Sequence, residues 1–369
     1  MARPKNQELR EFLLRNIREH SGDIANIAAS HFGVTRASVN GYLRSLINEG
    51  LIEATGKTKS RKYALKPLDQ YADQFPLTPE LAEDRILRER LGPHLITLIE
   101  NVRRICDYGF TEMLNNAIEH SDGKECFVGL IRTYASIRLI VKDDGVGIFD
   151  KIAHACHLAD KREAILELSK GKLTTDSRRH TGEGIFFTSR MFDKFWIISG
   201  GLAYRRTKNE DDEWLIESVE ANDPGTLVGM EISTYATHTS KDIFDKFVDD
   251  NDRFSRTHVP LALAKYEGEN LVSRSQARRL LSRVERFSEV MLDFTGISDV
   301  GQAFADEIFR VWSREHPGTK IVPIGTADAV WSMIQHALAN AQEEAGKAIE
   351  AQPMLPLEPL PPKDTSRKS

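Results

Sequence analysis

The sequence predicts a multidomain protein of the α+β and α/β classes, with three folding units and a tail. Residues 1–66 combine helical hydrophobic spacing with a short segment of alternating residues. Residues 80–236 begin with a long helical pattern and continue as alternating apolar strands. Residues 243–341 alternate helix and strand, which is typical of a small α/β unit with a parallel pair of strands. A linker at residues 67–79 and a Pro-rich, disordered tail at residues 342–369 complete the predicted organisation.

Composition predicts a globular protein without a membrane segment. Hydrophobic residues make up 40% and charged residues 28% of the chain, and no apolar run reaches the roughly 20 residues that span a bilayer. The amino-terminal stretch MARPKNQELREF lacks the apolar core of a signal peptide. The three cysteines are scattered and lack metal-ligand spacing, which is typical of a reducing compartment. We therefore expect a cytoplasmic protein with no membrane contact.

The charge is distributed unevenly along the chain. Residues 1–66 hold 12 Lys/Arg and 6 Asp/Glu, a net charge of +6, although the whole chain carries −5. The remaining residues therefore carry −11. A small basic unit on an acidic body indicates that only the basic unit contacts a polyanion.

Three helices followed by two strands are expected in the basic unit. Helical spacing with one buried face begins the chain, at Leu9, Phe12, Leu13 and Ile17. Asp23 is a candidate N-cap for a second helix that ends near Gly33, and Thr35 is one for a third helix that ends at Gly50. The following LIEATGKTKSRKYAL indicates two short strands around a Gly- and Lys-rich tip.

This arrangement resembles a winged helix-turn-helix over residues 7–65. With its apolar residues buried, the third helix presents an outer face that could reach a major groove, formed by Arg36, Asn40 and Arg44. The wing carries basic residues suited to phosphate contacts, namely Lys57, Lys59, Arg61 and Lys62. The resemblance implies DNA binding. The alternative is a protein-docking module, because winged helices also serve in that way.

The stretch TEMLNNAIEHS, at residues 111–121, is helical but ambiguous. Leu114 and Ile118 suit a buried stripe. The same turns carry the polar residues Glu112, Asn115, Asn116, Glu119 and His120. These polar residues form either a solvated helix face or a set of ligands, and the stretch alone does not distinguish the two.

Three glycine motifs follow this helix. An apolar strand runs directly into an acidic turn, Asp143-Asp144-Gly145-Val146-Gly147. Gly182 and Gly184 then precede an apolar helix, where exposed backbone N–H groups and the positive end of the helix dipole suit a phosphate. Gly225-Thr226 opens a late strand.

The ordered set of motifs resembles the GHKL ATP-binding domain of DNA gyrase, the heat-shock chaperone, histidine kinases, MutL and the anti-sigma-factor kinases. The set is Glu-x-x-x-Asn on a helix, Asp-x-Gly-x-Gly after a strand, Gly-x-Gly before a helix, and Gly-Thr at a late strand. The resemblance covers roughly residues 100–236 and is nearest to the anti-sigma-factor kinases, which also have a His four residues after the Asn. It implies an α/β sandwich in which a mixed sheet carries helices on one face.

The resemblance also implies a role for each matching residue in an ATP site. Glu112 would be the general base, and Asn116 would bind Mg²⁺ beside the phosphates. Asp143 would accept a hydrogen bond from the adenine amino group, assisted by Thr226. The glycines would let the backbone approach the base and the phosphates, at Gly145, Gly147, Gly182 and Gly184. A lid would supply charge-stabilising residues, namely Lys172, Arg178, Arg179 and His180.

The stretch VMLDFTGISDVGQAFADEI in the acidic third unit resembles the STAS domain of anti-sigma antagonists. Those proteins carry a phosphorylated serine, but Gly301-Gln302 stand here where their Asp-Ser pair should be. The resemblance therefore implies a docking domain for a protein partner, without the phosphoacceptor. A purely structural α/β domain is the alternative.

Taken together, the motifs predict an ATP-binding regulator with slow ATP hydrolysis, which controls the binding of DNA or of a partner. Two other functions fit the same residues. One is a protein Ser/Thr kinase of anti-sigma type, and the other is a DNA-acting clamp that forms a homodimer on ATP binding. A scaffold with vestigial nucleotide binding is less compatible with the intact Glu-x-x-x-Asn, because a scaffold needs no base.

Overall fold

The computed structural model describes residues 4–57, 60–173, 182–208, 213–218, 223–265 and 269–350. The N-terminal unit consists of three helices and a hairpin. Its elements are α1 (Pro4–Asn16), α2 (Ile24–Phe32), α3 (Arg36–Asn48), β1 (Ile52–Thr55) and β2 (Lys62–Leu65), with β1 and β2 antiparallel.

Local signals account for the helix boundaries of this unit. The Thr35 hydroxyl accepts a hydrogen bond of 3.2 Å from the backbone N–H of Ser38 and so caps α3. Gly33 ends α2 in the left-handed conformation, with φ of 64°. Asp23 precedes α2 as expected, but its side chain makes no cap hydrogen bond. The unit has a core of its own, around Leu13, Ile24, Val39, Leu43 and Leu46.

Residues 67–79 do not form the predicted linker. Most of them belong to strand β3 (Asp69–Pro76), which pairs antiparallel with β4 (Glu125–Arg132) over eight residue pairs. The partly buried side chains of Tyr71 and Phe75 pack against the central core. The segment is an edge strand with one polar, solvated face, so its proline and polar content obscured the alternation.

The central unit is built on a seven-stranded sheet in the order β3-β4-β5-β9-β6-β7-β8. The remaining strands are β5 (Ser136–Asp143), β6 (Lys194–Ser199), β7 (Leu202–Thr207), β8 (Glu213–Ser218) and β9 (Thr226–Ser233). Every neighbouring pair is antiparallel, so the prediction of a mixed sheet is wrong. A helical connection makes β5 and β6 run in the same direction, but β9 lies between them and is antiparallel to both.

The sequence predicts strands at FWIISGG, EWLIESVE and GTLVGMEIST, but none in the segment that forms β7. Strand β7 forms a hairpin with β6 through Gly200 and Gly201, both at positive φ. Its Arg206 is only 3% exposed and donates hydrogen bonds to the carbonyls of Ser189 and Phe192. Because Arg206 places a charged side chain at a buried position, it interrupts the apolar alternation from which a strand is predicted.

Helices cover one face of the central sheet. They are α4 (Glu83–Ile86), α5 (Gly92–Leu95), α6 (Glu100–His120), α7 (Ile148–Ala155), α8 (Lys161–Lys170) and α9 (Gly184–Met191), and a π-turn at Leu87–Leu91 joins α4 to α5. Helices α6 and α9 pack on the sheet so closely that a Cβ at Gly109 would collide with the ring of Phe192. The observed layers are thus a sheet, one helical layer and a partly covered second face.

The C-terminal unit has a parallel sheet in the order β10-β11-β12. Its strands are β10 (Arg256–Pro260), β11 (Glu289–Asp293) and β12 (Lys320–Ile324), and its helices are α11 (Arg274–Leu281), α12 (Gln302–Asp306), α13 (Ser313–Glu315) and α14 (Asp328–Glu350). The parallel pair β11/β12 matches the sequence pattern, and β10 is an additional strand. Ser273, rather than the neighbouring Ser275, caps α11 in a capping box with Gln276.

The predicted unit boundaries shift at two further places. Residue 243 lies inside helix α10 (Ser240–Phe244), whose Phe244 ring contacts the rings of Tyr108 and Phe187 in the central unit. Helix α14 continues to Glu350, so residues 342–350 are helical rather than part of the predicted tail. Residues 351–369 lie outside the described part of the chain.

Phe75→Ala is expected to lower the free energy of unfolding by about 1–3 kcal/mol, because it removes a packed ring from β3. Urea unfolding measures this change. Ala72→Ser, at an exposed position of the same strand, should change stability by less than about 0.5 kcal/mol. A Phe75→Ala protein as stable as wild type would show that this segment behaves as a linker in solution.

Candidate functional site

Residues from several separate segments of the chain line one cavity of about 480 Å³. The segments include helix α6, the turn after β5, helix α7, the start of α9, and the start of β9. Seven of the predicted site residues lie on its wall: Glu112, Asn116, Asp143, Gly147, Gly182, Gly184 and Thr226. A cavity of this size suits a small-molecule ligand.

Helix α6 supplies the polar side of the cavity. Its buried stripe, which includes Met113, Leu114 and Ala117, is anchored in the core. Glu112 and Asn116 are one helical turn apart, so their side chains lie on the same side of the helix. The Glu112 carboxylate packs against Gly184, the first residue of α9, where a Cβ would collide with Oε2. Glycine at this position allows the carboxylate to approach the positive end of α9.

Asn116 carries a buried polar atom without a partner. Its amide nitrogen Nδ2 is buried and has no hydrogen-bond partner among the described residues. Native structures rarely leave such a group unsatisfied, and an exception needs an explanation. Its position on the cavity wall offers one, since an amide at this place can bind a ligand.

Two adjacent carboxylates after β5 have different tasks. Asp144 is exposed and accepts hydrogen bonds of 2.7 and 3.0 Å from the backbone N–H groups of Lys124 and Glu125, which lower its pKa. Asp143 is only 7% exposed and lines the cavity. Burial raises the pKa of Asp143, against the opposing effect of N–H donors from Gly145 and Thr226. Asp144 therefore holds the turn, whereas Asp143 faces the cavity.

The Asp143 carboxylate joins two strands. Its Oδ1 accepts hydrogen bonds from the N–H of Gly145 at 2.9 Å and from the N–H of Thr226 at 3.2 Å. Among the described residues, Oδ2 accepts no hydrogen bond. The Thr226 hydroxyl accepts a bond of 2.9 Å from the N–H of Ile148, which fixes the start of α7. One oxygen of Asp143 is thus structural, and the other remains for a ligand.

Close backbone approach explains the two glycines of the turn. Gly145 does not line the cavity, and a Cβ there would collide with the carbonyl of Ser121 at the end of α6. Gly147 lines the cavity at φ of 96°, beside the Ser199 hydroxyl. Gly145 therefore positions the turn against α6, and Gly147 allows the backbone to pack against Ser199 in a conformation that favours glycine.

The predicted lid residues are only partly described. Gly182 adopts a positive φ of 70° and packs against Leu173. Lys172 does not line the cavity: its amino group donates a hydrogen bond of 3.0 Å to the carbonyl of Arg286 and lies over the ring of Phe287. The assignment of Lys172 to phosphate binding is therefore not supported by its position. Arg178, Arg179 and His180 lie outside the described residues.

The cavity wall also includes two cationic residues that sequence reasoning missed. Lys151 donates hydrogen bonds to the carbonyl of His120 and to the Asp122 carboxylate, and so caps α6. Arg283 reaches the wall from the C-terminal unit. The position of Lys151 shortly after the Gly-x-Gly turn is a sequence signal that could have identified it as a lining residue. Arg283 lies more than a hundred residues away in sequence from the lining residues of α6. No local sequence pattern therefore marks it as part of the cavity wall.

Most of the predicted DNA-contacting residues that the structure describes are exposed. Arg36 and Arg44 are exposed on α3, and Asn40 is half-buried between them. Lys57, Arg61 and Lys62 are exposed at the hairpin. Lys59 lies outside the described residues.

Comparison with known proteins identifies one region of the chain. Residues 276–331 match the model of a family described as a STAS-like domain of unknown function (DUF4325). This match confirms the predicted STAS-like domain, although over a shorter range than residues 243–341. The comparison with curated proteins gives no match.

One similar solved structure is that of HmgR from Pseudomonas aeruginosa. It is 13% identical over 63% of this chain and 89% of that chain, with a TM-score of 0.16. A likeness this low carries no argument about fold or function.

The described residues offer neither a membrane-spanning helix nor an acidic, His or Cys cluster for a metal ion. None of the helices in the described part of the chain is long and apolar enough to cross a bilayer. The described residues also contain no group of three or more His, Cys, Asp or Glu suited to a metal ion.

Asp143→Asn is expected to raise the free energy of unfolding of the ligand-free protein at neutral pH. Burial disfavours the ionised carboxyl, whereas asparagine is neutral and keeps an oxygen for the N–H groups of Gly145 and Thr226. Because the folded-state pKa is raised, the advantage is complete above that pKa. It disappears as the pH falls toward the usual value of 3.8.

Urea unfolding between about pH 4 and about pH 8 measures this difference. Asp144→Asn is the matched control. The pKa of Asp144 is lowered, so its loss should reduce stability at neutral pH, with the effect vanishing at low pH. If both variants changed the free energy of unfolding by the same amount and in the same direction, the division of tasks between these carboxylates would be contradicted.

Proposed function

We propose that the protein is an ATP-dependent regulator with a GHKL-type nucleotide site, an N-terminal winged helix that binds DNA, and a STAS-like domain. The observation that carries the proposal is the convergence of Glu112, Asn116, Asp143, Gly184 and Thr226 on one cavity. These residues come from segments far apart in sequence. They follow one another along the chain in the order that the GHKL resemblance implies, and they also meet in space. Packing alone does not readily explain both.

The adenine end of the site is proposed at Asp143. The Asp143 carboxylate lines the cavity, and both of its hydrogen bonds from other residues are made by Oδ1. Its Oδ2 is therefore suited to the exocyclic amino group of adenine, which is a hydrogen-bond donor. The same oxygen would meet an acceptor, the carbonyl O6, in guanine. Val141 and Ile152 line the cavity with apolar surface suited to a flat base.

The phosphate end of the site is proposed between α6 and α9. Gly182 and Gly184 lie at the start of α9, where N–H groups and the helix dipole favour an anion. Glu112 faces this end and would act as the general base toward water. Its proximity to the start of α9 supports that role, because the nucleophile must meet the terminal phosphate there.

The residues present fit a magnesium ion bound together with the nucleotide. Mg²⁺ commonly keeps several waters and takes one or two protein ligands beside substrate phosphates. A dedicated cluster of acidic ligands is therefore unnecessary, and Asn116, which lines the cavity, is the residue proposed to hold the ion through its side-chain oxygen. When bound, the ion would neutralise charge on the phosphates.

Contacts between the units support a switch rather than an isolated ATPase. Glu231 of β9 is buried and forms ion pairs with Arg138 of β5 and with Arg18, which follows α1. The guanidinium of Arg15 lies 4.2 Å from the ring centre of Tyr235. The N-terminal unit thus contacts the strand that begins at the cavity with Thr226. A nucleotide that alters this strand would bias the DNA-binding unit.

Glu112→Ala is expected to keep nucleotide affinity within about threefold of wild type and to lower the rate of ATP hydrolysis by about 10²–10⁴-fold. Loss of the base removes proton transfer but leaves the adenine contacts. Hydrolysis and the binding of a non-hydrolysable ATP analogue are measured with and without duplex DNA. Asp143→Asn serves as the control variant, which is expected not to bind the nucleotide.

Glu119→Ala is the charge-matched control on the same helix, because Glu119 also lines the cavity. It should hydrolyse ATP at the wild-type rate. Normal turnover in Glu112→Ala, or loss of turnover in Glu119→Ala alone, would refute the assignment of the base.

Arg36→Ala combined with Arg44→Ala is expected to weaken duplex DNA binding at least tenfold, since both exposed side chains lie on the proposed recognition helix. Fluorescence anisotropy at several salt concentrations measures the affinity and its salt dependence. Arg85→Ala combined with Arg88→Ala removes the same charge from exposed positions on the central unit. Equal effects of the two double variants would indicate nonspecific attraction rather than a defined surface.

The STAS-like match favours one alternative, a protein kinase of anti-sigma type in which Glu112 activates a hydroxyl of a partner. Transfer of labelled phosphate to a protein, rather than its release, would identify that activity. The chain's own STAS-like region is not the proposed acceptor, because Gly301-Gln302 stand in place of the Asp-Ser pair.

A further inference from the structure

The C-terminal unit contributes one side chain to the cavity of the central unit. Arg283 follows helix α11 and lies within residues 276–331, the region matched by the STAS-like family. Its side chain lines the cavity together with residues of α6, α7 and α9. A residue from a different folding unit therefore completes the wall of the proposed nucleotide site.

The backbone holds Arg283 in an uncommon conformation. Its φ and ψ are 66° and 7°, in the left-handed region that residues with a Cβ rarely adopt. The flanking residues fix this geometry: the carbonyl of Ser282 accepts a hydrogen bond of 2.9 Å from the buried Lys170 amino group, and Val284 is fully buried. Such strain in a residue that faces a cavity is typical of functional positions.

Arg283 has an unusually weak protein partner. Among the described residues, its one hydrogen bond runs from Nη1 to the sulfur of Cys156, at 2.6 Å. A thiol is a poor acceptor, and a guanidinium offers five donors in a planar fork suited to phosphate. The other cation of the wall, Lys151, is bound to the Asp122 carboxylate and the His120 carbonyl.

The negative charges of the cavity wall make the Arg283 cation important for the binding of a polyanion. Among the described residues, the carboxylates of Glu112, Glu119, Asp143 and Glu183 line the cavity. A polyphosphate would be repelled by these groups unless cations and backbone N–H groups offset them. Lys172, which the sequence suggested for this task, points instead to the carbonyl of Arg286.

We propose that Arg283 is an anion-binding residue of this cavity, which contacts the phosphate chain of an adenine nucleotide and thereby joins the STAS-like domain to the nucleotide site. The proposal rests on the nucleotide-binding function proposed above. It predicts that the domain contributes to the affinity for phosphorylated ligands but not for the nucleoside. The position of the STAS-like domain and nucleotide binding are then thermodynamically linked.

The test compares affinities of the full chain for a non-hydrolysable ATP analogue and for adenosine, by isothermal titration calorimetry. Arg283→Gly removes the side chain at a backbone conformation that glycine prefers, so the variant should fold. It should bind the ATP analogue at least tenfold more weakly and adenosine as wild type does. Arg283→Lys should restore part of the lost affinity for the analogue.

Arg278→Ala is the control, because Arg278 is an exposed residue of α11 that pairs with Glu307 outside the cavity. It should bind both ligands as wild type does. If Arg283→Gly binds the analogue as tightly as wild type, or loses equal affinity for the analogue and for adenosine, the inference is wrong. The proposed function would not be affected by either result. Failure of the wild-type protein to bind either ligand would overturn the proposed function and the inference with it.

Discussion

The geometry of the cavity depends on the burial of one carboxylate, Asp143. Its Oδ1 accepts N–H groups from Gly145 and from Thr226, so one atom ties the end of β5 to the start of β9. Gly225 completes the joint, because any Cβ there would collide with the Asp143 carbonyl. An asparagine could make the same two bonds without a buried charge. The presence of an ionisable group with a raised pKa at this position supports the proposal that Asp143 binds a ligand.

A second buried charge, Lys170 at the end of α8, attaches the C-terminal unit to this site. Its amino group pairs with Glu167 at 2.6 Å and also donates to the carbonyl of Ser282. Burial lowers the pKa of Lys170, which shows that the pair is costly to desolvate. Replacing either partner alone would leave an uncompensated buried charge. The reciprocal bonds between Lys172 and Arg286 belong to the same junction.

Short-range patterns were readable from the sequence, and long-range ones were not. The Thr35 cap and the Asp143 turn depend on neighbouring residues, so their spacing predicted them. Strand β3 was missed because an edge strand keeps one polar face, and β7 because it buries Arg206. The insertion of β9 between β5 and β6, which makes the sheet antiparallel, has no local signature. Arg283 is the extreme case, since only tertiary packing brings it to the cavity.

The distribution of cores determines which unit can respond to a ligand. The central and C-terminal units share one continuous hydrophobic core, whereas the N-terminal unit has its own. The latter meets the sheet through Arg18 with Glu231, through Arg15 with Tyr235, and through Tyr134, which packs against the core of the N-terminal unit. Thr226 and Glu231 of β9 are five residues apart, so their side chains point to opposite faces of the sheet. One strand therefore carries the cavity on one face and the polar docking contacts on the other. Under the proposed function, the N-terminal unit is therefore the one that a bound nucleotide would displace, because it shares no continuous core with the sheet.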